Sequence, residues 1–104
     1  MLTTARKETE ARAILAAALE RARRRDTSET TGWLLLNLAT ANQYLRRTAE
    51  AARQFPEAWE VARSLGATEL EHYVLHHWGR FLAETGDIAQ ARDRFDQALA
   101  LRVR

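Results

Sequence analysis

One pattern of small and large residues returns every 40 positions: Ala11, Leu15, Ala18 and Leu19 align with Ala51, Phe55, Ala58 and Trp59, and these with Ala91, Phe95, Ala98 and Leu99. A repeat of this length commits the chain to stacked copies of one supersecondary unit. The spacings four, three and one put the small and large residues on one stripe of a helix, where small side chains let a neighbouring helix approach. The segments between the stripes align at the same offset, Trp33, Leu34, Leu35, Leu38 and Ala39 with Tyr73, Val74, Leu75, Trp78 and Gly79. Their apolar positions run at i, i+3, i+4 and i+7, the period of a helix face. Two helix types therefore alternate.

Composition agrees with an all-α class. Ala, Leu, Arg and Glu dominate, with four glycines and one proline in 104 residues, and all four of the common types favour helix over strand. That length bounds one domain. The hydrophobic share of 46% and charged share of 29% suit a folded globular chain. Five helices are expected, near 4–25, 29–45, 48–65, 69–84 and 88–102. Thr68 with Glu71 and Asp87 with Gln90 have capping-box spacing, and Gly66 and Gly86 stand where they end the preceding helices. Pro56 falls inside the third segment, where it removes a backbone donor and predicts a kink. The alternative is that Pro56 starts a new helix and the chain stays helical through Arg46 and Arg47, where no glycine stands.

Leu75, Trp78, Gly79, Leu82, Gly86, Asp87, Ala91, Phe95 and Ala98 fall at the spacing of the tetratricopeptide repeat, which residues 72–104 resemble closely. Residues 32–65 resemble it more loosely, presenting Asn42 where the later copy has Leu82. Residues 4–25 look like the second helix of a repeat alone. The 40-residue period exceeds the roughly 34 usual in that family, as longer helices would make it. The resemblance implies a right-handed stack of antiparallel helix pairs in one domain, a half repeat over 4–25 followed by repeats over 29–65 and 69–102. It also implies a protein- or peptide-binding scaffold with no catalytic centre and no cofactor.

By the same resemblance a second stripe on the first helix of each repeat lines a groove: Trp33, Asn37, Thr40 and Tyr44 in one copy, Tyr73, His77, Arg80 and Glu84 in the other. Asn37 falls where chaperone-binding members place an asparagine for a carboxylate. Leu36 and Thr40 do not reproduce the rest of that clamp, whereas His77 and Arg80 could supply charge. An acidic or carboxylate-ended peptide is the ligand expected. The plain alternative is a solvated polar face of the kind any amphipathic helix carries.

Other chemistry is thinly represented. The chain has no cysteine, which removes disulfides, thiolate metal sites and cysteine nucleophiles. His72 and His76 are four apart, with His77 and Glu69 nearby, but no HExxH sequence is present and no third ligand is evident, so they read as surface or groove histidines. Ser28 and Ser64 lack a neighbouring base, and no glycine-rich phosphate loop occurs. Arg21, Arg23, Arg24 and Arg25, with Arg46, Arg47 and Arg53 later, could contact phosphates, which keeps nucleic acid as a minor alternative. Against it, Asp26 and Glu29 follow the run, and cations at a helix carboxyl end stabilise the helix dipole. The net charge is only +2; the pI near 9.7 reflects the fact that all cations but Lys7 are arginine. No apolar run is long enough for a signal sequence or a membrane span, and a cytoplasmic protein is expected. Since the first helix resembles the second half of a repeat, Ile14, Leu15 and Ala18 are expected on an open face that a second copy could cover in a homodimer. An oligomerisation module, or a piece of a larger regulator, is therefore the rival to the peptide-binding scaffold.

Overall fold

The computed structural model describes residues 4–23 and 28–102. They form five helices: α1 (Thr4–Arg23), α2 (Glu29–Tyr44), α3 (Thr48–Ser64), α4 (Thr68–Glu84) and α5 (Ile88–Arg102). No strand occurs among the described residues. Each helix packs on the next, and α2 also touches α4. The result is an all-α stack of adjacent helix pairs. Arg24 and Arg25, expected to close the first helix, lie outside the described residues.

Three joints reverse the chain in the same way, 20 residues apart. At each, one backbone N–H closes a six-residue turn onto the preceding helix: Arg47 to the Asn42 carbonyl (2.8 Å), Ala67 to Ala62 (2.9 Å) and Asp87 to Leu82 (2.8 Å). This arrangement satisfies carbonyls left open at the helix end and needs a left-handed residue just before the closing N–H. Gly66 (φ 65°) and Gly86 (φ 92°) supply it, and at the first joint Arg46 does (φ 61°). An L-residue in this region costs roughly 1–2 kcal/mol relative to right-handed geometry. The helix therefore does not continue through Arg46 and Arg47 as the alternative reading had it.

Pro56 starts no new helix either. α3 runs through it unbroken. The missing donor leaves the Ala52 carbonyl without its intrahelical partner, and Ala52 is exposed, where water can serve that oxygen. The two capping boxes fare differently. Gln90 N donates to Asp87 Oδ1 (3.2 Å) and its side-chain amide to Asp87 Oδ2 (2.8 Å). Thr68, by contrast, lies inside α4, whose N-cap is Ala67 with no side-chain cap. Glu71 turns away from the helix end and accepts a hydrogen bond from Trp59 Nε1 at 3.1 Å.

The core follows the repeat but is deepest in the middle. Leu35, Ala39, Ala51, Phe55, Ala58, Leu70 and Val74 are fully buried, with the Phe55 and Phe81 ring centres 5.3 Å apart. Removing a buried phenylalanine of this kind costs about 3–5 kcal/mol. The outer copies of the stripe are thinner: Ala11, Leu15 and Ala18 are half-buried, and Leu99 is 60% exposed. Its counterpart Trp59 is covered by Trp78, ring centres 5.9 Å apart. No described helix lies over Leu99 as α4 lies over Trp59. Arg94 ties α5 inward, its guanidinium 4.3 Å from the Trp78 ring centre, a favourable cation–π distance.

Asn42, the residue that breaks the repeat, is fully buried. Its Oδ1 accepts from Arg12 Nε (3.0 Å) and its Nδ2 donates to Gln54 Oε1 (2.7 Å), joining α1, α2 and α3. Arg12 reaches on to Glu50 at 3.4 Å. A leucine at this position would remove the partner of Arg12 Nε and of Gln54 Oε1, both part-buried, at about 1 kcal/mol for each hydrogen bond lost.

Small residues set the closest approaches. A Cβ on Gly32 would lie 2.5 Å from Leu70 Cδ2, and one on Gly79 would lie 2.9 Å from Phe95 Cε1. We therefore expect Gly79→Leu to destabilise the fold by about 1–3 kcal/mol or more through overpacking of the α4–α5 join. Urea denaturation measures this, and an unchanged midpoint would refute the close pairing.

Candidate functional site

Because α2 and α4 occupy equivalent places 40 residues apart, their outward stripes run side by side. At the amino-terminal ends the rings of Trp33 and Tyr73 meet, with centres 5.7 Å apart and planes tilted by 54°. Gly32 permits this, since its missing side chain is the space that Leu70 fills. Toward the carboxyl ends the two helices leave between them an open cleft of about 450 Å³. Thr40, Gln43 and Tyr44 of α2 form one wall, and His77, Arg80, Phe81 and Glu84 of α4 the other. Arg46, Thr48 and Thr85 close the end.

The structure brings Thr40, Tyr44, His77, Arg80 and Glu84 into this one cleft. Trp33 and Tyr73 pair beyond it, and Asn37 is exposed and does not line it. Gln43, Arg46, Thr48, Phe81 and Thr85 are lining residues that the stripe pattern missed. Three of them sit in or beside the joints, which helix periodicity does not describe. Arg46 did carry a signal: it stands where the other joints have glycine.

The chemistry of the cleft is mixed. Tyr44 is 66% exposed, so its ring is open to a ligand. The Thr40 hydroxyl donates to the Leu36 carbonyl at 2.9 Å, leaving its oxygen lone pairs toward the cleft. Glu84 is held by the Gln43 side-chain amide. Neither Arg46 nor Arg80 is ion-paired to a described residue. His77 is held neutral: burial, then neighbouring His76 and Arg80, push its pKa below the usual histidine value.

The remaining candidates lie elsewhere. His72 Nδ1 faces the Ala98 carbonyl at 3.3 Å, and the His76 ring meets His77 edge-on and Phe95 at a tilt, with ring centres 5.7 Å apart in both. The described residues hold no group of three histidine, aspartate or glutamate side chains placed to bind a metal ion. Ser28 accepts from Thr31 N at the start of α2 and Ser64 donates to the Val61 carbonyl, so both hydroxyls serve the backbone. Arg23 pairs with Glu57 and Arg47 with Glu50. On α1, Ile14 is 68% exposed, whereas Leu15 packs partly against the core and Ala18 is half-buried. No described helix is long and apolar enough to cross a membrane.

These features define an all-helical stack with a mixed polar and aromatic cleft between the first helices of two successive pairs. No family model matches the sequence, and neither curated proteins nor solved structures give a significant match. The tetratricopeptide resemblance thus rests on the residues themselves.

The depressed His77 pKa has a measurable sign. The folded state takes up this proton less readily than the unfolded chain, so stability is full above about pH 6.5 and falls as the pH drops toward the folded-state value. His77→Gln is expected to flatten that part of the stability profile, measured by urea denaturation between about pH 5 and 7.5. A variant profile as steep as the parent's would refute the assignment.

Proposed function

We propose that this chain is a non-catalytic, tetratricopeptide-like scaffold that holds an acidic or carboxylate-ended segment of a partner protein in the cleft between α2 and α4. The observation that carries the reading is an open cleft of about 450 Å³ in which Arg80 has no ion-pair partner among the described residues. A guanidinium without an ion-pair partner among the described residues, in one cleft with the open Tyr44 ring, suits a carboxylate held by two parallel hydrogen bonds. Tyr44, and Tyr73 further along the same face, offer contact area at low entropic cost. Neutral His77 accepts a hydrogen bond, or takes up a proton once an anion sits beside it.

A fluorescein-labelled peptide ending in Asp-Asp with a free carboxylate serves as probe, with its amide as control. Arg80→Ala is expected to weaken binding about ten-fold or more while stability shifts by about 0.5 kcal/mol or less. Asn37→Ala, one turn along the stripe, is expected to weaken binding less. Equal binding of the probe by parent and Arg80→Ala would remove the cleft as the site.

One observation favours the rival reading of an oligomerisation module: Ile14, Ala13 and Ala17 are all exposed on α1. Sedimentation velocity over a concentration series decides it. A dimer abolished by Ile14→Glu assigns α1 to self-association, and a constant monomer removes that reading.

A further inference from the structure

A second open cavity, of about 420 Å³, lies between α4 and α5 at the edge of the stack and shares no lining residue with the cleft. Its walls are His72, Tyr73 and His76 of α4 and Phe95, Ala98 and Leu99 of α5. The repeat shows what the same place holds in the inner helix pair. Forty residues earlier Gly32 and Leu36 stand at the positions of His72 and His76. There Leu70 fills the space beside Gly32, and Leu36 is buried. In the outer pair His76 is exposed and His72 half-buried, so neither imidazole replaces its counterpart in the core.

Two histidines one turn apart, with no third ligand in the sequence, are an incomplete metal signal. The structure adds three observations to it. Both side chains line the same cavity, as a chelate requires, and residues four apart on a helix have their Cβ atoms about 5–6 Å apart. The Ala98 carbonyl lies 3.3 Å from His72 Nδ1. A carbonyl only accepts, so Nδ1 carries the proton and Nε2 keeps its lone pair, held outward by the hydrogen bond that metal-bound histidines commonly make through their other nitrogen. No described lysine or arginine lines the cavity, so no fixed cation there opposes an incoming one. His77 takes no part: it lines the cleft, because adjacent residues on a helix face different ways.

We infer that His72 and His76 form a two-nitrogen chelating site for a late first-row divalent transition ion. Neutral imidazole favours this class, Cu²⁺ most strongly, with Ni²⁺ and Zn²⁺ below it. The chain supplies two ligands, and water entering from the open side of the cavity supplies the others. Mg²⁺ and Ca²⁺ take oxygen ligands, and no carboxylate of a described residue lines the cavity.

Calorimetric titration of the full chain with Ni²⁺ or Zn²⁺, with Mg²⁺ as control, tests the site. The parent is expected to bind the first two and not the third. His72→Ala and His76→Ala should each weaken binding by about ten-fold or more, since even altering the outer hydrogen bonds of a metal ligand costs that much. His77→Gln should leave it unchanged. Urea denaturation separates loss of the site from loss of the fold, because an ion bound only by the native state raises the midpoint. In His76→Ala, which alters an exposed side chain, the metal-free midpoint should match the parent's while the rise with Ni²⁺ disappears. Parent affinity retained in either histidine-to-alanine variant, an equal loss in His77→Gln, or a parent midpoint unmoved by excess Ni²⁺ would overturn the assignment.

Discussion

A single left-handed residue, repeated at positions 46, 66 and 86, is the constraint on which the stack depends. Each closes the helix before it and turns the chain back along itself, so that three hydrogen bonds of one type fix where the next helix begins. The equal spacing gives α3 and α4, the two helices between joints, the same length of 17 residues. Similar lengths let every apolar stripe meet its neighbour along its whole extent. Burial then follows position in the stack: Phe55 has helices on both sides and is sealed, while Leu99 has one side open.

The cleft is a consequence of uneven packing between α2 and α4. Where α2 carries Gly32, Leu70 enters and the helices close, with Trp33 laid against Tyr73. Further along, Thr40 and Arg80 face each other across open space, and Gln43 bridges to Glu84 near the far end. The site is thus bounded by an aromatic contact and by a hydrogen bond. Its charged groups lie between two fixed ends, on helices whose buried faces are already committed to the core. Side chains anchored on such helices lose little freedom when they are engaged.

Much of the fold was legible because the repeat writes the same physics twice. Leu35 and Leu75, Ala39 and Gly79, Phe55 and Phe95 announce their pairing by spacing alone. The sequence also marked the joints wherever glycine stood, at 66 and 86. At 46 the one mark was its alignment with Gly66 and Gly86, since arginine itself looks like a helical residue, and backbone geometry reveals the turn. Asn42 read as a weakened copy of Leu82, whereas it is the centre of a polar network whose other members, Arg12 and Gln54, lie 30 residues before and 12 after it. Thr68 and Glu71 matched a capping pattern, but Trp59 claimed the carboxylate. Local spacing describes local bonds; Asn42 and Glu71 depended on what another helix brought near. The stripe for the cleft was visible for the same reason as the core, yet its end wall was not, because joints have no helical period.

The shared geometry of the joints has an architectural corollary. Since the chain leaves Arg46 and Gly86 along the same kind of path, a second set of residues 47–86 could be spliced in after Gly86 without disturbing any joint. The array would lengthen like a ruler marked in units of 40, each added pair presenting a fresh cleft to the one before. Whether the end of a given cleft carries a cation or a bare turn would then be decided by one residue, arginine or glycine.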